Sequence, residues 1–400
     1  MGLANLYAQS LEKDRDLMTL SNMFNYPPLQ IILEGRLFEE QPLGGISRIY
    51  HEILPRICHM DERVLFSILT SGRLMQSLPK HPQIASNPSK LPVDRFLLPK
   101  RIFWQLQDYL RARLQIDSTQ FGKNAVWHAT YFQLPNWWEG PKVTSVYDLI
   151  YEKYPQFFNK GYDNILRERK KRSVLAADKV ICISESVRSD VIEIYGLPQE
   201  RVIAIPLACG DNFRKMSREE IAPYFHVDQP FILYVGTRHP YKNFKTLLST
   251  YAAWPRRSEI KLVVVGNPWS REELKEIATA GLQSDIICRS SISDEELCAL
   301  YNQALAFVYP SLSEGFGIPL LEAMACGCPI VASRIPTSLE IARDIPYYFD
   351  PLNKDELIAA LDAACYSEGI KSRDEILANY SWDRTARETL NVYKELALCT

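Results

Sequence analysis

At 400 residues the chain exceeds the size at which a single hydrophobic core keeps growing, so two domains are expected. Hydrophobic residues make up 46% and charged residues 24%, which excludes wholesale disorder, and a formal net charge of -2 excludes the basic surplus of a dedicated nucleic-acid binder. Nine cysteines without a repeated Cys-x-x-Cys pattern argue against a structural zinc site and for a reducing compartment.

In chain order, residues 1–28 read as a polar N-terminal extension. Glu12, Lys13, Asp14, Arg15 and Asp16 would interrupt the apolar core of a secretory signal. No apolar stretch approaches the length that spans a bilayer. The expected location is the cytoplasm, with a place at the inner face of the membrane left open.

From Leu29 onward, short apolar runs alternate with helical patterns. Strands are expected at Leu29–Leu33, Arg63–Leu69, Ala125–His128, Val143–Tyr147, Lys179–Ile183 and Val202–Ile205, with helices at Ile46–Ile57, Arg101–Leu114 and Asn164–Ala176. Such alternation builds a parallel sheet covered by helices on both faces. In the second helix-forming stretch, Lys100 to Arg113 mixes basic and aromatic residues. Phe103, Leu106, Leu110 and Leu114 share one face, which reads first as a core stripe and second as a membrane-facing surface. Trp137 and Trp138 could either stack on a sugar acceptor or cap a cleft.

Residues 209–230 form a polar connection containing a Ser217–Glu220 capping box. The alternation then restarts, with strands at Phe231–Val235, Lys261–Val265, Ala306–Tyr309 and Ile330–Ala332, and helices at Phe244–Tyr251, Glu272–Gly281 and Glu295–Ala304. The expected organisation is a domain over 29–210, a second over 211–380, and a closing helix over 381–400 that crosses back to the first. Doubly wound sheets bind ligands beyond the carboxyl ends of their strands, so two facing sheets would place a ligand in the cleft between them.

The segment richest in chemistry is Ser313-Glu314-Gly315-Phe316-Gly317-Ile318-Pro319-Leu320-Leu321-Glu322, continuing to Gly327. A strand ends, a glycine-bearing loop follows, and Pro319 stands where a helix begins; Gly327 stops that helix. The backbone N–H groups of Gly315, Phe316, Gly317 and Ile318, with the helix dipole behind them, make a site for a diphosphate. Glu314 can accept hydrogen bonds from sugar hydroxyls. Glu322, expected within the first helical turn, can hold ribose hydroxyls. Acids near a helix start are also favoured by the dipole alone, so spacing by itself leaves both readings standing.

The run from Glu314 to Glu322, followed by Ala-Met-Ala-Cys-Gly-Cys-Pro-Ile-Val-Ala-Ser333, resembles the Glu-x7-Glu signature of family 4 retaining glycosyltransferases. That resemblance implies an α/β chain of GT-B architecture, two facing Rossmann-like doubly wound domains with a cleft between. Tyr234-Val-Gly236-Thr237-Arg238 with Lys242-Asn243 resembles the first strand and loop of the family's second domain. There Gly236 and Thr237 would line the donor, and Arg238 and Lys242 would hold its phosphates and neutralise the leaving group, since fixed cations aimed at developing charge lower a barrier. Ser291 and Ile292, by the same resemblance, would lie against the nucleobase. Gly44-Gly45-Ile46-Ser47-Arg48 is similar to the family's glycine loop, placing Gly44, Gly45 and Arg48 at the donor. Trp127-His128 and Tyr147-Asp148 resemble two strand ends facing the cleft. The family commonly has His before this Asp where the chain has Tyr147, so His128, Tyr147 and Asp148 share the expected role of positioning the sugar.

The activity this resemblance implies is transfer of a hexose from a nucleotide diphosphate sugar, with retention by front-face displacement, to a saccharide or lipid-linked acceptor in polysaccharide biosynthesis. A UDP-sugar such as UDP-glucose is the first expectation for the donor and GDP-mannose the next. No metal or other cofactor is invoked, because Arg238, Lys242 and the helix start handle the phosphate charge and no Asp-x-Asp motif is placed for one. Two rivals remain: a nucleotide-sugar epimerase of the same architecture, and a catalytically silent nucleotide-sugar binding protein. Nothing in the sequence addresses oligomeric state.

Overall fold

The structure, a computed structural model, describes residues 28–40, 44–70, 74–88, 121, 124–135, 138–158, 161–224, 227–366 and 373–398. The N-terminal extension up to residue 27, the expected helix at 101–114 with its basic and aromatic side chains, and Trp137 lie outside the described residues.

Among the described residues the apolar runs form thirteen strands in two sheets. In chain order they are β1 Leu29–Glu34, β2 Val64–Thr70, β3 Ile84–Pro88, β4 Val126–Ala129, β5 Lys142–Val146, β6 Lys179–Cys182, β7 Val202–Ala204, β8 Phe231–Val235, β9 Lys261–Val265, β10 Ile286–Arg289, β11 Ala306–Tyr309, β12 Ile330–Ser333 and β13 Tyr347–Phe349. The first sheet has the order β3-β2-β1-β4-β5-β6-β7 and the second β10-β9-β8-β11-β12-β13. Each order reverses once, between β1 and β4 and between β8 and β11, which is the doubly wound Rossmann pattern. Pairing is parallel: Ile31 lies beside Phe66 and Val126, and Leu233 beside Val263 and Phe307.

Strands covered by helices on both faces need apolar side chains on both, and β11 and β12 are buried at every position. Around the second sheet, Ile232, Tyr234, Leu262, Val264 and Val308 pack with Leu247 and Tyr251 from the Phe244–Ala253 helix and with Trp254 just after it. This is the apolar burial that holds the β8 and β11 loops in place. Three strands escape the sequence reading, β3, β10 and β13, and each is a sheet edge. An edge strand packs against a neighbour on one side only and carries a weak apolar signal; β10 has no fully buried residue.

Contacts divide the chain into two compact units, one within Met1–Ser145, Glu168–Val180 and Ala386–Thr400, the other within Val146–Arg167 and Ile181–Thr385. The division runs through β5 and β6, so Tyr147 and Asp148 belong with the second unit. The last part of the Trp382–Leu398 helix belongs with the first. Among the described residues no helix is long and apolar enough to cross a membrane.

Candidate functional site

The order reversal between β8 and β11 leaves their two carboxyl-end loops side by side. The β8 loop runs through Gly236 into a 3-10 turn, Pro240–Lys242, closed by Asn243 in the left-handed region at φ 57. The Asn243 amide donates to the Pro351 carbonyl at 2.8 Å, and Leu312 N–H of the β11 loop donates to the Tyr241 carbonyl at 2.8 Å. These bonds aim Lys242 at Glu314, whose two carboxylate oxygens lie 2.7 and 2.9 Å from Nζ. The Ser311 hydroxyl donates to the same carboxylate at 2.5 Å. Lys242 is 20% exposed and Glu314 9%, so the pair is largely desolvated. Burial, then the nearby Glu314 charge, push the Tyr309 phenol far above its ordinary range.

Immediately after Glu314 the chain starts the Ile318–Ala325 helix, with Ile318 first and Pro319 second, one position later than the sequence suggests. Gly317 caps it at φ 104, where only glycine sits without strain, and Gly327 follows it at φ 76. Among the described residues no acceptor is bound by the backbone N–H groups of Gly315, Phe316, Gly317 and Ile318. Unsatisfied donors at the positive end of a helix are what a diphosphate requires. The loop itself is rigid: Ser184 Oγ donates to the Gly315 carbonyl at 2.7 Å, and Thr337 Oγ1 to the Glu314 carbonyl at 2.8 Å. A Cβ on Gly315 would lie 1.7 Å from the Tyr147 carbonyl oxygen, so only glycine passes there.

Arg238 is placed differently from the expectation. Its Nε and Nη2 donate to the Glu273 carboxylate, Nη2 also to the Pro268 carbonyl at 3.0 Å, and the guanidinium lies 4.4 Å from the Trp269 ring. The side chain is only 6% exposed, and buried Nη1 has no hydrogen-bond partner among the described residues. Burial alone would raise Glu273, yet the Arg238 hydrogen bonds and the Ser270 cap bring it down to about 2. In this state Nε and Nη2 are committed to Glu273 and Pro268, and turning them to a phosphate requires the side chain to leave Glu273. The pairing was not legible in the sequence; the Ser270–Glu273 capping box that opens the Arg271–Thr279 helix was the only local signal near it.

Three further expectations change, those for His128, Trp138 and Glu322. His128 is 1% exposed in the first unit, with Nδ1 2.7 Å from the Tyr393 hydroxyl and Nε2 2.8 Å from Ser145 Oγ. Burial lowers it to about 3. Both ring nitrogens being engaged, it is a packed neutral imidazole and its assignment as a catalytic group is withdrawn. Trp138 is no stacking platform: it is a core residue against Trp127, its indole N–H donating to the Pro141 carbonyl at 3.1 Å. Phe316 turns its buried ring edge-on to Tyr380, leaving only its backbone for a ligand. Glu322 falls beyond the first helical turn and is 5% exposed, accepting from the Tyr301 hydroxyl at 3.1 Å. Cys326 and Cys328 are buried, and Cys326 also lies 3.6 Å from Cys298.

The other expected residues take plain positions. Gly44 caps the Gly45–Met60 helix in extended conformation, its N–H donating to Ser47 Oγ at 3.0 Å. Among the described residues a Cβ on Gly45 would meet nothing, and Arg48 is half-buried. Gly236 sits at φ 138, and its carbonyl approaches Gly266 so closely that a Cβ there would lie 2.4 Å from it; Tyr234 Oη donates to the Thr237 carbonyl at 2.6 Å. Asp148 accepts from Ile150 N–H at 3.2 Å and so starts the short Ile150–Lys153 helix. Ser291 is exposed at φ 56 and Ile292 half-buried, just before the Asp294–Gln303 helix.

Comparison with known proteins follows the two sheets rather than the two contact units. Residues 44–209 match the family model described as Glycosyltransferase Family 4, and residues 217–380 that described as Glycosyl transferases group 1. The chain is 28% identical over 383 residues to an O-antigen chain mannosyltransferase B of Escherichia coli, covering 89% of this chain and 97% of that one. It is 26% identical over 307 residues to the O-antigen chain mannosyltransferase RfbU of Salmonella typhimurium, covering 76% and 80%. Among solved structures, a sucrose-phosphate synthase from Thermosynechococcus elongatus superposes with a TM-score of 0.71 at 19% identity, over 93% of this chain and 100% of that one, a likeness of fold.

Proposed function

The chain belongs to the group 1, family 4 glycosyltransferases, with the GT-B fold, and from that premise we propose that it transfers a mannosyl group, with retention, from GDP-mannose to a saccharide or lipid-linked acceptor in polysaccharide assembly. Mannose is favoured over the glucose that the sequence first suggests because the relatives that cover most of this chain are named mannosyltransferases. Their O-antigen chain names favour a growing polysaccharide as acceptor.

The observation that carries the site is the Lys242–Glu314 pair at the mouth of an unsatisfied helix start. Without donor, Glu314 neutralises Lys242. A bound diphosphate would draw Lys242 and the helix N–H groups to itself, and Glu314 would then turn to the hexose hydroxyls. The bond from the anomeric carbon to the β-phosphate oxygen breaks as the acceptor oxygen bonds the same face of that carbon. The departing phosphate takes the acceptor proton. Lys242 lowers the barrier by stabilising the charge that grows on that phosphate. Nothing in this scheme calls for a metal ion.

The test is incubation of the full chain with GDP-mannose or UDP-glucose and mannose-terminated acceptors, reading the product's anomeric configuration by NMR. Turnover with UDP-glucose alone would sink the sugar assignment, and an inverted product would sink retention. Epimerised donor without transfer would establish the epimerase rival, and binding without turnover the silent one.

A further inference from the structure

A group of aromatic rings adjoins the Lys242–Glu314 pair yet stays out of the buried core. Tyr151 and Phe158 come from the segment after β5, His239 and Tyr241 from the loop after β8, all in the second unit. Ring centroids of Tyr151 and Phe158 are 4.4 Å apart. Phe158 lies 5.8 Å from His239 at 26° and 6.3 Å from Tyr241 at 32°; His239 and Tyr241 are 5.5 Å apart at 31°. Tilts this small give the last three rings broadly parallel faces. His239 is exposed and the other three are partly exposed.

These rings are not needed to fasten the segment that carries them. Tyr154 Oη donates to the Leu312 carbonyl at 3.1 Å, Tyr195 Oη to Glu152 at 2.9 Å, and Lys153 pairs with Asp190 at 2.9 Å. On the other side, Pro240, left-handed Asn243 and the Leu312 bond to Tyr241 already fix the loop. Apolar rings left at the surface on two independently anchored segments point to a ligand.

The neighbouring charges say which kind. Lys242 Nζ is 5.5 Å from the Tyr241 ring centroid and bonded to Glu314. Besides burial, the negative charges of Glu314 and then Asp148 push the Tyr241 phenol up. A ring face carries partial negative charge and attracts polarised C–H groups, while carboxylates at its rim accept from hydroxyls. A pyranose has one face of the first kind and a rim of the second. We propose that Phe158, His239 and Tyr241, backed by Tyr151, form a stacking subsite for a hexosyl unit of the acceptor saccharide, beside the place where Glu314 would hold the donor sugar. The assignment rests on the saccharide-transfer reading above, but its test needs no donor.

Saturation-transfer NMR of methyl α-D-mannopyranoside and α-1,3-mannobiose should show transfer to ring C–H protons in the full chain. Loss of one ring, in exposed His239→Ala or in Phe158→Leu, should weaken mannobiose binding about two- to tenfold. Melting temperature and GDP-mannose affinity should stay put. No saccharide signal in the parent chain, equal binding by both variants, or weakened GDP-mannose rather than saccharide binding would each overturn the subsite. So would parallel loss of melting temperature and of both ligands, which marks mere fastening. Mannobiose binding through these rings without product from GDP-mannose would keep the subsite and sink mannosyl transfer.

Discussion

Lys242 and Glu314 hold each other through both carboxylate oxygens, at 2.7 and 2.9 Å, across 72 residues of chain. The two groups expected to serve phosphate and sugar separately therefore begin as one neutral unit. On the proposed scheme a nucleotide sugar would engage both partners at once, whereas the nucleotide alone would take Lys242 and strand a largely buried carboxylate.

That coupling predicts opposite effects of one substitution. Glu314→Gln should bind GDP about three- to tenfold more tightly, since nothing charged competes for Lys242. The same variant should lose about 10²- to 10³-fold in kcat, and Lys242→Ala about as much. Calorimetry with GDP and initial rates with GDP-mannose check the two signs together. Near-normal turnover in both variants would refute these roles.

Gly315→Ala tests the approach to Tyr147. Its Cβ would sit 1.7 Å from a carbonyl oxygen, and that backbone cannot rotate aside as a side-chain tip could. Overpacking of this kind costs about 1–3 kcal/mol, read from urea unfolding, and should remove activity with it. Gly45→Ala is the control for stability, because its Cβ meets nothing among the described residues.

Glu273→Ala should leave the buried Arg238 guanidinium without a counter-charge, at a cost of about 3–5 kcal/mol in unfolding free energy. The pH dependence has a definite sign. Glu273 titrates at about 2 against an ordinary 4.5, so its contribution is fully present above 4.5 and is lost as pH falls from 4.5 through 2. Acid unfolding curves of Glu273→Gln should be flatter in that window.

His128 gives a second pH signature, in the other unit. Burial holds it at about 3 in the folded chain against 6.5 when exposed, so the unfolded state binds the extra proton between those values. Stability should therefore fall as pH drops below 6.5, by at most about 1.4 kcal/mol per pH unit from this group. In His128→Phe that part of the slope should vanish. An unchanged slope would mean the imidazole is not packed neutral.

Much of the fold was legible because its signals are local. Strands β8, β9 and β11 coincide with their apolar runs, since a central parallel strand must be apolar on both faces. The edge strands β3, β10 and β13 were missed for the complementary reason. In the site, the Glu314-to-Gly317 loop and the helix it opens were legible, because glycine at left-handed positions and proline in a first turn are demanded by the backbone itself. Tyr309 and Ser311 beside Glu314 were missed, although both sit within five residues of it, because nothing in their types distinguishes a partner from a neighbour.

By itself, then, the sequence determined two Rossmann-type sheets and a glycine-led helix start with an acid before it, since torsional preference and strand burial act over a few residues. Only the tertiary structure decided that Lys242 closes on Glu314, that Arg238 withdraws to Glu273, and that His128 is spent on Tyr393, 265 residues away. Which charge meets which depends on where strand order reverses and on what is left desolvated there, and sequence spacing carries no record of either.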